Sequence, residues 1–378
     1  MPGIYIHIPF CRKKCPYCGF NSSIFTEDEE KLYVKALIRE MELLKKNEDI
    51  NGWEFESLYM GGGTPTSLKT ENIIHLFEKA FSVFCEDTAS MEVTMEGNPE
   101  SATFDKLKAA KDCGCNRLSL GFQDLSSKGL KTLGRSHTVK QSLNAYETAR
   151  KAGFDNISID LIYGWPGQTK DEWRKTLRLL TSLSPEHISC YELTIEDGTP
   201  FARAHAEEKL SLPPEEETLA MMDISEEYLS LKGYHQYELS NFAKSGRASR
   251  HNSNYWENGS YLGLGCSAAS FIPPLRRKNT DDISFYIKEI NSSRLPMSEK
   301  ETLDLEQRLR ESVILALRTT NGLNIMDINK KFSIDVLDYY GDLLKRHIDL
   351  NLIKVQGHRI FLSRQGRRIA NFVLKDLV

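Results

Sequence analysis

The sequence predicts an α/β chain with six strand–helix units in its first half and an α+β tail. Three observations carry this. Short β-rich runs recur at about 3–8, 56–60, 91–95, 117–121, 157–163 and 187–194. Helical patterns of period 3.6 fill the gaps between them. The alternation stops at Pro213-Pro214. Strand–helix alternation implies a parallel sheet with right-handed crossovers. Six units fit a partial (β/α)6 barrel as well as an open sheet. In both, the chemistry belongs at the C-terminal ends of the strands.

The first helix is expected over 27–46, with Leu32, Ala36, Leu37, Met41 and Leu44 on one stripe and Thr26 with Glu29 as a capping box. Further helices fit at about 70–84, 103–112, 139–152 and 171–183. After the prolines come an acidic helix (215–232), a strand-like piece (234–239) and a Gly/Ser-rich stretch around 245–270. From about 299 the order is three helices, two strands (351–356 and 359–363, turning at Gly357-His358) and a helix, which is winged-helix-like. The expected division is 1–212, 213–298 and 299–378.

Lys plus Arg is 49 and Asp plus Glu is 53, a net charge of −4, so nothing in the balance calls for nucleic acid or an anionic membrane. The start, Met-Pro-Gly-Ile-Tyr-Ile-His, lacks the basic and apolar regions of a secretory signal. No apolar run approaches the roughly 20 residues of a membrane helix. A cytoplasmic protein is expected, with peripheral membrane contact left open.

Three of the eight cysteines form Cys11-Arg-Lys-Lys-Cys15-Pro-Tyr-Cys18. A disulfide framework does not suit a large chain without a secretion signal. Three thiolates on one short loop can take three irons of a [4Fe–4S] cube and leave the fourth open. The competing site is structural zinc, which wants four ligands and could draw on His7.

The Cys-x3-Cys-x2-Cys spacing, with an aromatic before the last Cys, resembles the radical S-adenosylmethionine (SAM) signature. Tyr5-Ile-His-Ile-Pro-Phe-Cys11, Gly61-Gly-Gly-Thr-Pro-Thr66, Glu96-Gly-Asn-Pro99, Arg117-Leu-Ser-Leu-Gly-Phe-Gln123, Leu133-Gly-Arg-Ser-His137 and Ile159-Asp-Leu-Ile-Tyr-Gly164 resemble, in order, the anaerobic coproporphyrinogen III oxidase group. The resemblance implies the partial (β/α)6 radical-SAM barrel, with Cys11, Cys15 and Cys18 on the cluster and SAM on its open iron.

It also implies SAM contacts. The glycines after strand two allow close backbone approach, and their N–H groups suit a charged ligand end; Gly62, Gly63 and Thr64 match the family segment that meets the methionyl part. Glu96 matches the family's SAM-binding acid, and Tyr5 and Tyr17 match aromatics near SAM. Gln123, Arg135 and Asp160 match polar positions that hold a second SAM in related oxidases. The residues assign no catalytic acid, base or nucleophile.

Two branches of the group compete: the oxidase, which decarboxylates coproporphyrinogen III, and a heme chaperone, which binds heme and delivers it to apoproteins. Phe20 stands where the oxidase signature continues to a further Cys, little chain precedes Cys11, and His251-Asn-Ser-Asn-Tyr-Trp256 matches the chaperone's His-Asn-x-x-Tyr-Trp motif. The chaperone is therefore expected, without oxidase activity. His251 is the nominated iron ligand or a residue that positions heme, with Asn252, Tyr255 and Trp256 beside it. Gly265-Cys-Ser-Ala-Ala departs from the group's pattern. The implied partners are heme or a related tetrapyrrole, a hemoprotein acceptor, and a flavodoxin-like or ferredoxin-like electron donor. A radical-SAM methyltransferase is a third reading. Lys354, Arg359, Arg364, Arg367 and Arg368 in the tail invite DNA binding, but a solvated basic face on an acidic chain is the better expectation.

Overall fold

Residues 2–46, 50, 52–85 and 88–378 are described by a computed structural model. Strand β1 (Gly3–Ile8) leads through α1 (Glu27–Leu44) to β2 (Ser57–Gly62), α2 (Thr70–Phe84), β3 (Glu92–Gly97), α3 (Phe104–Asp112) and β4 (Arg117–Gln123). Helices α4 (Ser127–Thr132) and α5 (Val139–Lys151) precede β5 (Ile157–Tyr163), and α6 (Lys170–Leu183) leads to β6 (His187–Glu192). Each neighbouring pair from β1 to β6 is parallel. The predicted alternation holds throughout, and the strands curve into a partial barrel around a central cavity.

These strands are two-faced. Ile4, Ile6, Ile8, Leu58, Met60, Val93, Met95, Leu118, Leu120, Ile157 and Ile159 are buried in the main core. The alternate positions are polar and share rows across the sheet: Ser57 beside Glu92, Thr94 beside Arg117, Glu96 beside Ser119, Ser158 beside His187, Asp160 beside Ser189. Parallel strands covered on both faces read as continuous apolar runs. Strict alternation here means that one face packs on helices and the other lines a polar lumen.

The sheet continues past both edges. After α7 (Pro200–Ala206) and α8 (Glu215–Leu231), β7 (His235–Gln236) and β8 (Asn241–Ala243) add antiparallel to β6. Helix α9 (Arg250–Trp256), inside the Gly/Ser-rich stretch, was not foreseen. It leads to β9 (Tyr261–Leu264), which pairs parallel to the free edge of β1. Antiparallel β10 (Ala269–Ile272), β11 (Leu275–Asn279) and, after α10 (Ile283–Asn291), β12 (Met297–Thr302) extend that edge.

The tail comprises α11 (Leu305–Leu317), β13 (Leu323–Asn324), α12 (Ile325–Phe332), α13 (Val336–Asp349), β14 (Ile353–Gln356), β15 (Arg359–Leu362), α14 (Arg364–Arg368) and α15 (Ala370–Asp376). It has its own core, including Leu309, Val313, Phe332, Val336, Ile360 and Val373. The two-residue β13, too short for a sequence signal, completes a three-stranded antiparallel sheet. The tail's arginines are largely spent inside the molecule. Arg364 meets Glu227 at 2.6 Å, Arg367 meets Glu226 at 2.7 Å, and Arg368 pairs with Asp223, all carboxylates of α8. Among the described residues no helix is long and apolar enough to cross a membrane.

Helix α1 starts at the expected capping box. Leu32, however, is 52% exposed, and the buried stripe instead includes Tyr33, Val34 and Glu40. Glu40 is 1% exposed and accepts from Gly265 N, Asn279 Nδ2 and Tyr286 OH, each at 2.7 Å. It ties α1 to the β9–β11 extension. Glu40→Ala leaves Gly265 N and Tyr286 OH without an acceptor, at about 1–3 kcal/mol per group, and leaves Asn279 Nδ2 only the Gly265 carbonyl. Urea unfolding should show a loss of roughly 3 kcal/mol or more, with Glu40→Gln clearly milder.

Candidate functional site

The C-terminal ends of β1 and β2 are held together by backbone. Gly63 N donates to Ile8 O at 2.8 Å and Thr64 N to Phe10 O at 2.7 Å. Side chains at the three glycines would prevent this. A Cβ on Gly61 would lie 2.8 Å from the Glu96 carboxyl carbon, one on Gly62 2.4 Å from the His7 ring, and one on Gly63 2.7 Å from the Ile8 and Phe10 carbonyl oxygens. Gly62 also has φ +103°. The N–H groups expected to greet a ligand are therefore committed: Gly62 N donates to Glu96 Oε2 at 3.1 Å, Gly63 N to the last residue of β1, and Thr64 N to Phe10 just beyond it.

This junction launches the cysteine loop. Cys11, Cys15 and Cys18 are free thiols that line one central cavity of about 480 Å³ together with Tyr17, Gly62, Gly63, Thr64, Glu96, Gln123, Arg135 and Asp160. Cys11 Sγ is 3.3 Å from Thr64 Oγ1. Arg135 Nη1 donates to Cys15 Sγ at 3.2 Å and to Tyr17 OH at 3.4 Å, and Nη2 donates to Asn98 Oδ1 at 2.6 Å and Gly121 O at 3.1 Å. Gly134, at φ +64°, allows the close pass, since its Cβ would fall 2.6 Å from Pro16. Among the described residues no three His, Cys, Asp or Glu side chains converge on one ion. Thiolates on a cube each take a different iron and need no common point. The free thiols, their shared wall and the neighbouring guanidinium fit such a cluster. His7, the fourth zinc ligand considered, is committed: Nδ1 is 2.9 Å from Tyr5 OH and Nε2 is 3.0 Å from Asn21 O.

Deeper in the lumen, Glu96 Oε1 accepts from Tyr59 OH at 2.6 Å. Burial pushes its carboxyl up to about 7, with Asp160's charge adding to the rise. Asp160 accepts from Ser189 at 2.6 Å, Ser119 at 2.8 Å and Ser158 at 3.3 Å, and burial raises it as well. Gln123 sits at φ +66° on a register shift at the end of β4. Tyr5 departs from expectation: it lines a separate side groove with Phe20, Tyr255 and Tyr261 and backs Tyr59. The sequence reading passed over Tyr59, Asn98, Arg117, His187 and Ser189, all on the cavity wall. For all but Asn98, which follows β3, the signal is the polar half of the strand alternation.

Helix α9 plugs the opposite, N-terminal end of the strands. Glu92, at the start of β3, accepts from Arg250 N and His251 N at 3.0 Å and from Ser249 Oγ at 3.3 Å. His251 is 2% exposed; Nδ1 is 2.9 Å from Ser57 Oγ and Nε2 is 3.1 Å from Tyr255 OH. It stacks on Tyr59 at 5.1 Å, and burial pushes its ring down to about 3, so it is neutral. Neither nitrogen is free for iron in this arrangement. Of the other motif residues, Asn252 reaches the central cavity, Tyr255 reaches the side groove, and Trp256 lies under Arg318 at 5.3 Å.

Residues 5–180 match the Radical SAM superfamily model and residues 303–369 the HemN C-terminal domain model. The chain is 34% identical over 373 residues to a Bacillus subtilis protein named heme chaperone HemW, covering 99% of this chain and 98% of that one. A Lactococcus lactis protein of the same name is 31% identical, with 99% and 96% covered. A solved structure of Escherichia coli coproporphyrinogen III oxidase (HemN) superposes with a TM-score of 0.86 at 24% identity, covering 100% of this chain and 89% of that one. That likeness establishes the fold.

Gly63→Ala forces a Cβ against main-chain oxygens that have nowhere to go. It should cost about 1–3 kcal/mol in urea unfolding, as overpacking does. A stability equal to wild type would contradict the tight β1–β2 junction.

Proposed function

The chain belongs to the HemW family of radical SAM proteins, and from that membership we propose that it binds heme and delivers it to an apoprotein in the cytoplasm. The observation that carries this reading is the match to proteins named heme chaperone HemW along 99% of the chain. Phe20, 70% exposed, occupies the place where the oxidase pattern continues in cysteine, which further favours the chaperone over the oxidase.

Cys11, Cys15 and Cys18 would hold the [4Fe–4S] cluster, which with SAM supplies one-electron cleavage of the sulfonium to a deoxyadenosyl radical. Arg135 would set its positive charge against the Cys15 side of that site. Gly62, Gly63, Thr64, Glu96 and Tyr17 would orient SAM, while Gln123 and Asp160 line the rest of the chamber. Glu96 is held near neutrality by burial, so its charge grows as pH rises through about 7. A carboxylate that contacts the cationic end of SAM should then bind it more tightly at pH 8 than at pH 6. Glu96→Gln should remove the part of that pH dependence due to this group and weaken binding by about 1.5–3 kcal/mol at the upper end. Calorimetry that shows the same affinity and pH profile in both proteins would reject the contact.

For heme, the motif divides. Tyr255 faces the open groove beside Tyr5, Phe20 and Tyr261, and His251 holds the Tyr255 hydroxyl in place. His251 is thus read as a positioning residue and not as the axial ligand. His251→Ala should weaken heme binding several-fold while leaving the Soret maximum of the bound fraction in place, and Tyr255→Ala should weaken it at least as much. A shifted Soret band in His251→Ala would restore ligation. In parallel, wild type supplied with cluster, SAM and reductant should yield no protoporphyrinogen IX from coproporphyrinogen III; robust product would restore the oxidase.

A further inference from the structure

We propose that the floor of the lumen, deeper than the residues assigned to SAM, is a seat for a small organic carboxylate, held by the Arg117 guanidinium and the Asn252 side-chain amide. The proposal rests on the reading above only in leaving the cysteine end of the cavity to SAM. Arg117 opens β4 and pairs with Thr94, two residues below the Glu96–Ser119 pair, which is about 7 Å deeper at the rise of a strand. Asn252 comes to the same cavity from α9, the helix that closes this end.

Arg117 is 2% exposed and lines the cavity, yet among the described residues its guanidinium makes no hydrogen bond or ion pair. Its Nε is buried without a partner, and so is Oγ1 of Thr94, its neighbour on β3. A buried cation is ordinarily paired and hydrogen-bonded. Glu92 exerts the largest attraction on it, but that carboxylate already accepts from Ser249 Oγ and from two N–H groups of α9. Glu96 and Asp160, the acids of the lumen wall, are both pushed toward their neutral forms by burial, and Asp160 is engaged by three serines. The guanidinium fork is thus left to face the lumen. The Asn252 side chain is in the same condition: its backbone N–H meets Ser249 Oγ at 3.3 Å, while its amide makes no hydrogen bond among the described residues. A planar guanidinium matches both oxygens of a carboxylate, and an amide N–H adds a further donor. The cavity of about 480 Å³ also takes SAM, so the ligand at its floor is far smaller than a tetrapyrrole.

The probes are succinate and propionate, added to the reconstituted chain at an ionic strength matched with sodium chloride. Saturation-transfer NMR should show both acids bound, and the unfolding temperature should rise above that in chloride, as it does when a ligand binds only the folded state. Asn252→Leu leaves Arg117 and Glu92 in place, and should weaken succinate about fivefold or more and abolish the rise. Arg117→Lys keeps a charge beside Glu92 but loses the fork, and should weaken succinate about tenfold or more. Should the lysine variant fail to fold, Asn252→Leu carries the test. The SAM affinity of Asn252→Leu should stay within about twofold of wild type, as separate sites require. Equal stabilisation by chloride, no binding of either acid, or succinate binding unchanged in the folded variants would overturn the seat. A parallel fall in SAM affinity would overturn it too, by assigning the floor to SAM itself. A wild type that binds the acids but not SAM would uphold the seat and overturn the reading of the cysteine end.

Discussion

The site hangs on the backbone seam where the end of β2 lies directly against the end of β1. Two main-chain hydrogen bonds, Gly63 to Ile8 and Thr64 to Phe10, close it. Three adjacent glycines are needed because each faces a different obstacle: the Glu96 carboxyl, the His7 ring, and the β1 carbonyls. Once closed, the seam fixes where the cysteine loop departs, brings Thr64 to Cys11, and delivers the Gly62 N–H to Glu96. A displacement here would move cysteine loop, carboxylate and cavity wall together.

Facing the seam, Arg135 joins separate pieces of chain. One guanidinium contacts Cys15 and Tyr17 on the loop, Asn98 after β3, and the Gly121 carbonyl on β4. A fork of five donors suits such a junction, which a lysine point charge would not fill. At the far end, the C-terminal module bears on the plug: Asn258 Nδ2 donates to Ser312 Oγ at 3.0 Å, and Arg318 covers Trp256. The tail arginines clamp the same module to α8. Three of the five basic side chains singled out in the tail, Arg364, Arg367 and Arg368, are thereby paired with carboxylates of the same molecule.

Much of this was legible in the sequence because local pattern and global fold agree. Ile4, Ile6 and Ile8 mark the helix-facing side of β1, and the cysteine spacing marks the loop. What escaped depends on contacts between distant segments. Glu40 occupies a position where an apolar residue is expected, and only Gly265, Asn279 and Tyr286, far along the chain, explain it. Arg117 and His187 read as polar strand residues until the register places them in a lumen. Helix α9 is too short, and its surroundings too rich in Gly and Ser, for periodicity to find it. The His251 motif could be seen, but not that both ring nitrogens are engaged, since Ser57 supplies one of the bonds from another part of the barrel. The committed N–H groups of Gly63 and Thr64 were missed for the same reason.

The central claim is that this seam presents three thiolates to one cluster with an iron left for SAM. Electron paramagnetic resonance of the anaerobically reconstituted, reduced chain, recorded with and without SAM, tests it most directly. The account predicts a signal of a reduced [4Fe–4S] cluster that changes when SAM is added and that is absent when Cys11, Cys15 and Cys18 are all changed to Ala. A signal and iron content that survive the triple substitution, or a wild-type signal indifferent to saturating SAM, would contradict it.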